Sequence, residues 1–225
     1  MARPTVVLLS CLSLLAMAAP AAVLAADADP ILDFCVADLS KTDLFINGLP
    51  CKNPATVTSG DFKSTAFRGV GNTSNSLGIA IAFAAAGATF PALNTQGLTL
   101  VKIDYASTGG FVPPHVHPRA SEVILVLEGA VLVGFVDTSN KFYSATLYAG
   151  DLFVFPRGLL HFQLSLNSSH PALSFSSLNS QNPGLSLIGP ALFASTPGIP
   201  SIVLQKSFAI DDAQVKAIKM AFGGK

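Results

Sequence analysis

The chain has 225 residues, half of them apolar and 12% charged, and its 13 basic and 13 acidic side chains leave no formal net charge. That balance gives no electrostatic reason to expect nucleic acid or an acidic membrane surface as a partner. The length is enough for one substantial domain, and the apolar surplus predicts surface buried between subunits.

Residues 1–25 read as a secretory signal. Arg3 supplies the positive start, Val6 to Ala19 the apolar stretch, and Val23, Ala25 and Ala26 the small residues, so cleavage is expected after Ala25 or Ala26. A transmembrane anchor is the alternative. Against it, the Leu-rich part is shorter than the roughly 20 residues a span needs, and Pro20 interrupts it. The apolar run from Leu77 to Gly87 is likewise too short and too closely bounded by polar residues. Cys11 leaves with the signal. Cys35 and Cys51 remain, an even pair in an oxidising compartment. A bridge between them would close a short loop, worth roughly 3 kcal/mol in the chain-entropy model. Two free buried thiols are the other reading, and zinc is disfavoured because no nearby ligands complete a site. Asn72 and Asn167 each begin a glycosylation sequon, Asn72 in a polar run and Asn167 in a Ser-rich turn.

From residue 26 to 95 periodicity is weak, and Asp, Gly, Pro, Asn and Ser recur. This predicts an extended N-terminal arm with short strands. Residues 96–180 change texture. Short β-rich runs at Leu98–Tyr105, Glu122–Leu127, Val131–Val136, Phe142–Tyr148, Leu152–Phe155, His161–Leu166 and Ala172–Ser177 alternate with turn residues, which predicts an all-β sandwich or closed barrel. In Glu122–Leu127 both faces are apolar, with Glu122, Ile124 and Val126 on one and Val123, Leu125 and Leu127 on the other. A second subunit is the simplest cover for the outer face. Residues 181–225 read as a helical extension. Asp211 or Asp212 caps a helix through Ala221, and Gly184–Ser195 is expected to form a shorter helix broken by Pro190.

Three of the four histidines fall in two glycine-bounded segments. One runs from Gly109 through His115, His117 and Glu122 to Gly129. The other runs from Gly150 through Pro156 and Gly158 to His161. His115 and His117 are two apart, so on an extended segment both rings point to one face. Glu122 opens the next strand, and a barrel can bring His161 alongside from a distant hairpin. Three imidazoles and a carboxylate make a mixed N/O metal site. Phe153, Phe155, Leu160 and Phe162 are expected to keep it dry. Ordinary surface histidines and a solvated carboxylate are the competing reading.

These two segments resemble the paired cupin motifs as they occur in germins and germin-like proteins. The phrases from Pro113 to Glu122 and from Phe155 to Gln163 carry the likeness. The stretches Asp33–Asp38, Gly48–Lys52 and Asn179–Gly184 extend it over the whole mature chain. The resemblance implies a cupin jelly-roll β-barrel (residues 26–225 as one domain) and a Cys35–Cys51 bridge. It also implies manganese (Mn2+) on His115, His117, Glu122 and His161, and a homohexamer built as a trimer of dimers in the plant cell wall, the apoplast. The ligand set alone would equally accept iron, zinc or copper.

Activities in the family include oxalate oxidase and superoxide dismutase, with roles in defence and development. Two departures bear on the choice. Ser165 stands where the second motif usually ends in Asn. The two asparagines of oxalate-oxidising germins, three and thirteen residues before the first His, fall on Val112 and Lys102. Val112 has no donor for oxalate, so oxalate oxidation is disfavoured and superoxide dismutation expected, with Lys102 a candidate source of positive potential. A non-catalytic, metal-stabilised wall protein is the alternative. Phosphoester hydrolysis has no phosphate-cradling loop to support it, and Arg119 and Arg157 read equally well as partners in ion pairs.

Overall fold

A computed structural model describes residues 35–41, 48–87, 89–166 and 170–224. The expected signal at 1–25, Cys11 and the sequon at Asn167 lie outside them.

Among the described residues, ten strands make two five-stranded antiparallel sheets. The strands are β1 (Ile79–Ala84), β2 (Thr99–Tyr105), β3 (Phe111–Val116), β4 (Glu122–Glu128) and β5 (Ala130–Val136). They continue with β6 (Phe142–Tyr148), β7 (Leu152–Phe155), β8 (Leu160–Ser165), β9 (Ala172–Leu178) and β10 (Ser186–Leu187). One sheet has the order β1-β2-β9-β4-β7 and the other β10-β3-β8-β5-β6. Neighbours in the sheets are mostly distant in sequence, as in a jelly roll. The inner faces pack Ile124, Val126, Val131 and Val133, all fully buried, against Ile103, Tyr105, Phe155 and Leu178. Burial of each such side chain contributes roughly 1.5–3 kcal/mol.

β4 alternates as expected. Glu122, Ile124 and Val126 point inward, while Val123 and Leu127 are 38% and 46% exposed on the outside. β8 inverts the usual rule: His161, Gln163 and Ser165 face the interior, and Leu160, Phe162 and Leu164 face out. Phe162 therefore stacks on Phe142 outside the barrel, 6.0 Å between ring centroids, and does not shield the histidines as its sequence position suggested.

The segment from 26 to 95 is more ordered than its weak periodicity indicates. Leu77–Gly87 contains β1, an edge strand of the first sheet. Short 3-10 turns at Pro54–Thr56, Ser59–Phe62 and Pro91–Leu93 fold the rest. Cys35 and Cys51 are bridged, beside an isolated pairing of Ala37 with Cys51. Asn94 ties the disulfide-bridged part of this arm to the turn that precedes β2. It is fully buried, its Oδ1 accepts from Leu49 N at 2.9 Å, and its Nδ2 donates to Leu49 O at 2.7 Å.

The C-terminal extension holds three helices: α1 (Ile188–Phe193), α2 (Ser201–Phe208) and α3 (Asp212–Ala221). Pro190 does not break α1. It sits in the first turn, where its missing N–H would have had no partner anyway. The sequence reading missed α2, which follows Pro200 directly. α3 is capped by Asp211 in a reciprocal pair with Gln214, as its sequence indicated. Phe193, Leu204 and Val215 form the small core that joins the three. Among the described residues no helix is long and apolar enough to cross a membrane.

Replacing Asn94 with Ala removes both bonds to Leu49 without touching the sheets. The expected cost is about 1–3 kcal/mol, read as a lower urea midpoint at unchanged slope.

Candidate metal centre

Register brings the four residues together. His115 on β3 is the direct partner of His161 on β8. Glu122, first in β4 on the opposite sheet, pairs with Phe155 and Leu178 and points across the interior. His117 lies one residue beyond β3. The potential ligand atoms of the four all lie within 4.8 Å of one another, and all but His117 are buried. The ladder is irregular between Val112 and His115, at Pro113 and Pro114. That extra residue brings Val112, which strict alternation would place on the other face, to the same side as His115.

Each imidazole is fixed from behind. Nδ1 of His115 lies 2.8 Å from Pro113 O, that of His117 2.6 Å from Gly184 O, and that of His161 2.8 Å from Leu159 O. A carbonyl only accepts, so each Nδ1 carries the proton and Nε2 is left as the inward lone pair, the arrangement metal-binding histidines adopt. Phe155 stacks on the His161 ring at 4.4 Å. His161 Nε2 is buried without a hydrogen-bond partner and lies 3.4 Å from Glu122 Oε2. His117 Nε2 lies 3.1 Å from the same oxygen. Three neutral nitrogens and one carboxylate converging in this way fit a divalent transition metal.

The loop 179–184 holds His117 in place. Gly184, whose carbonyl receives the His117 proton, has φ 70°, and a Cβ there would meet Pro118 Cγ and Arg119 Nη2 at 3.0 Å. Arg119 Nε donates to Asn182 O at 2.7 Å, and Ser121 N donates to Asn179 Oδ1 at 2.8 Å. Arg157 Nε donates to Pro118 O at 3.3 Å. Both arginines thus brace the ligand-bearing turn.

Burial pushes the Glu122 carboxyl up, but the close contacts with His117 and His161 together outweigh it and hold the group well below the usual carboxylate range. Burial also lowers His115, with His161 adding to the effect, to about 4, so this ring is neutral at physiological pH. Burial opposes the charge on His117 too, but Glu122 and Gly184 O prevail and raise it above its ordinary 6.5.

Three of the four, His115, His117 and Glu122, line a cavity of about 130 Å³. Val112 lines it as expected. Lys102 does not. The residues of β2 that face the cavity are Val101 and Ile103, and with a two-residue period Lys102 points to the outer face. There it pairs with Asp104 at 3.1 Å and donates to Gly69 O, strapping the preceding segment down. The count of thirteen residues thus lands one position past the wall residue, Val101. Sequence reasoning also missed Gln163, which lines the cavity. It stands two residues after His161, so strand alternation held the signal. Asn72 lies on an exposed turn, its Oδ1 accepting from Ser74 N.

Residues 68–216 match the cupin family. The chain is 48% identical over 214 residues to germin-like protein 1-1 of Oryza sativa subsp. japonica, covering 95% of each. It is 46% identical over 225 residues to germin-like protein subfamily 2 member 1 of Arabidopsis thaliana, covering 100% of each. Among solved structures it is similar to an oxalate oxidase in complex with the substrate analogue glycolate, at 39% identity and a TM-score of 0.82, covering 88% of this chain and all of that one.

The His117 shift sets a pH dependence. Without metal, the His117–Glu122 attraction contributes fully below pH 6.5 until Glu122 protonates in acid, and is lost as pH rises through the raised His117 pKa. A divalent ion must displace that proton. Its affinity is therefore expected to rise with pH through the His117 titration, with up to one proton released per ion. Calorimetry in two buffers of different ionisation enthalpy reads this release; none below pH 6.5 would contradict it.

Proposed function

The chain belongs to the germin-like proteins of the cupin family, and on that premise we propose that it is a secreted manganese protein of the plant cell wall that dismutes superoxide. The observation that carries this reading is the set of three Nε2 lone pairs and one carboxylate, each imidazole locked by a backbone carbonyl, at the base of an aliphatic cavity. His115, His117, Glu122 and His161 would hold the ion. Bound manganese would supply a one-electron couple; the donor set would also take iron, zinc or copper, so manganese rests on kinship.

The net reaction converts two superoxide ions and two protons into dioxygen and hydrogen peroxide. A divalent ion on one carboxylate leaves a single net positive charge, which draws a small monoanion without further recognition. The chain's own residues then hold the centre, keep bulk water out and limit access by size. Lys102 takes no part. Oxalate is a poor fit although the solved relative oxidises it, because Val101 and Val112 offer it no donors.

Export fits the bridged Cys35–Cys51 pair and the exposed sequon at Asn72. Self-association as a trimer of dimers fits the exposed apolar side chains Val123, Leu127, Leu152 and Val154 on β4 and β7. A second reading, a non-catalytic wall protein stabilised by its metal, is favoured by one observation: the ligands come from both sheets, so an ion would clamp them.

The two readings separate in a superoxide-decay assay on purified protein of measured manganese content, beside an oligomeric His117→Ala variant. Decay in the unaltered protein is expected to scale with manganese and to fall more than about a hundredfold in the variant. Equal, slow decay in both, with only the melting temperature depending on metal, would leave the clamp.

A further inference from the structure

Two serines of β9, Ser174 and Ser176, face the interior between β2 and β4, and both are fully buried. Their hydroxyls fare differently. Ser174 Oγ lies 3.1 Å from the Tyr105 hydroxyl, so that pair is satisfied. Ser176 sits between Val101 of β2 and Ile124 of β4, and its Oγ has no hydrogen-bond partner. A buried hydroxyl without a partner is costly, and an alanine here would avoid that cost. The serine therefore points to an acceptor it gains when the centre is loaded.

The acceptor in reach is the Glu122 carboxylate. Glu122 is the ladder partner of Leu178, two residues along β9 from Ser176, so Glu122 and Ser176 are diagonal neighbours on one inner face. Against the penalty of burial, His117 and His161 first and Ser176 after them favour the ionised carboxyl. Oε2 of that carboxylate faces the Nε2 atoms of His117 and His161, at 3.1 and 3.4 Å. A divalent ion would take those lone pairs and displace the His117 proton, so the imidazoles could no longer donate to the carboxylate. Where one carboxylate oxygen binds the ion, the other needs a new donor. The ladder partners Phe155 and Leu178 have none in their side chains.

Resting on the reading that the four residues hold a divalent ion, we propose that Ser176 is a positioning residue for the Glu122 carboxylate. Its hydroxyl donates to the carboxylate oxygen that the ion leaves free, and so keeps Glu122 a ligand through one oxygen. Ser176 touches neither the ion nor anything that approaches it, and acts only through Glu122.

The test is calorimetric titration of the metal-stripped full chain with Mn2+, beside Ser176→Ala, Ser176→Thr and Ser174→Ala. Ser176→Ala is expected to lower Mn2+ affinity about tenfold. It is also expected to narrow the spacing of the two carboxylate stretches in the loaded-minus-stripped infrared spectrum, as Glu122 turns to bind through both oxygens. The melting temperature of the stripped variant is expected to be no lower, since the change removes a hydroxyl without a partner. Ser176→Thr keeps the hydroxyl and is expected to restore most of the affinity. Ser174→Ala loses the contact with Tyr105 and is expected to lower the melting temperature while leaving the affinity unchanged. Equal affinity and the same carboxylate bands in the unaltered chain and Ser176→Ala would overturn the proposal and leave the metal centre standing. So would equal losses of affinity in Ser176→Ala and Ser174→Ala, because packing alone would then explain them. A Ser176→Ala chain that fails to fold would overturn it too, since the hydroxyl would then hold the fold and not the ion. An unaltered chain that takes up no metal would overturn both readings.

Discussion

Glu122 reaches from one sheet into the imidazoles of the other, and the architecture around it follows from that contact. A buried carboxylate is tolerable only when paired. Here the pairing partners come from β8 and the turn after β3, so the two sheets must meet face to face in one register. The same carboxylate gives the centre its single negative charge, draws a proton onto His117 when no ion is there, and limits a divalent ion to one net positive charge. The backbone finishes the arrangement. Three carbonyls turn the rings, and the loop at 179–184, braced by Arg119 and folded at Gly184, supplies the one for His117.

Much of this was legible in the sequence because it depends on local spacing. His115 and His117 two apart, Glu122 at a strand start with inward Ile124 and Val126 after it, and the Asp211 cap of the last helix are patterns of period 2 or 3.6. What was not legible depends on geometry that spacing does not carry. The irregularity at Pro113 and Pro114 decides that Val112 faces the cavity. Counting residues across the turn between β2 and β3 put Lys102 where Val101 stands, and a slip of one reverses the face. β8 reads as an ordinary half-buried strand, yet its polar side is inside, so Gln163 escaped notice and Phe162 was assigned to the wrong face. Pro190 looked like a breaker because its position within the turn was unknown.

The chain shares its fold with a solved oxalate oxidase, and in it the candidate ligands and the cavity wall above them come from different residues. The ligand-bearing strands bring the four donors together. The residues of β1, β2 and β3 above them fix what can approach the site, and in this chain those residues are aliphatic. The exposed apolar side of β4 and β7 lies on the opposite face of the same sheet, so surfaces for assembly and for the site are built from alternate residues of the same strands.

The central claim is that the inward Nε2 atoms of His115, His117 and His161 and the carboxylate of Glu122 together hold one divalent ion. Crystals of the purified protein, with anomalous diffraction collected on either side of the manganese absorption edge, test it most directly. The expected result is one manganese peak per chain in contact with those four side chains. A peak elsewhere, or an intact Glu122–His117 contact with no ion after manganese loading, would contradict it.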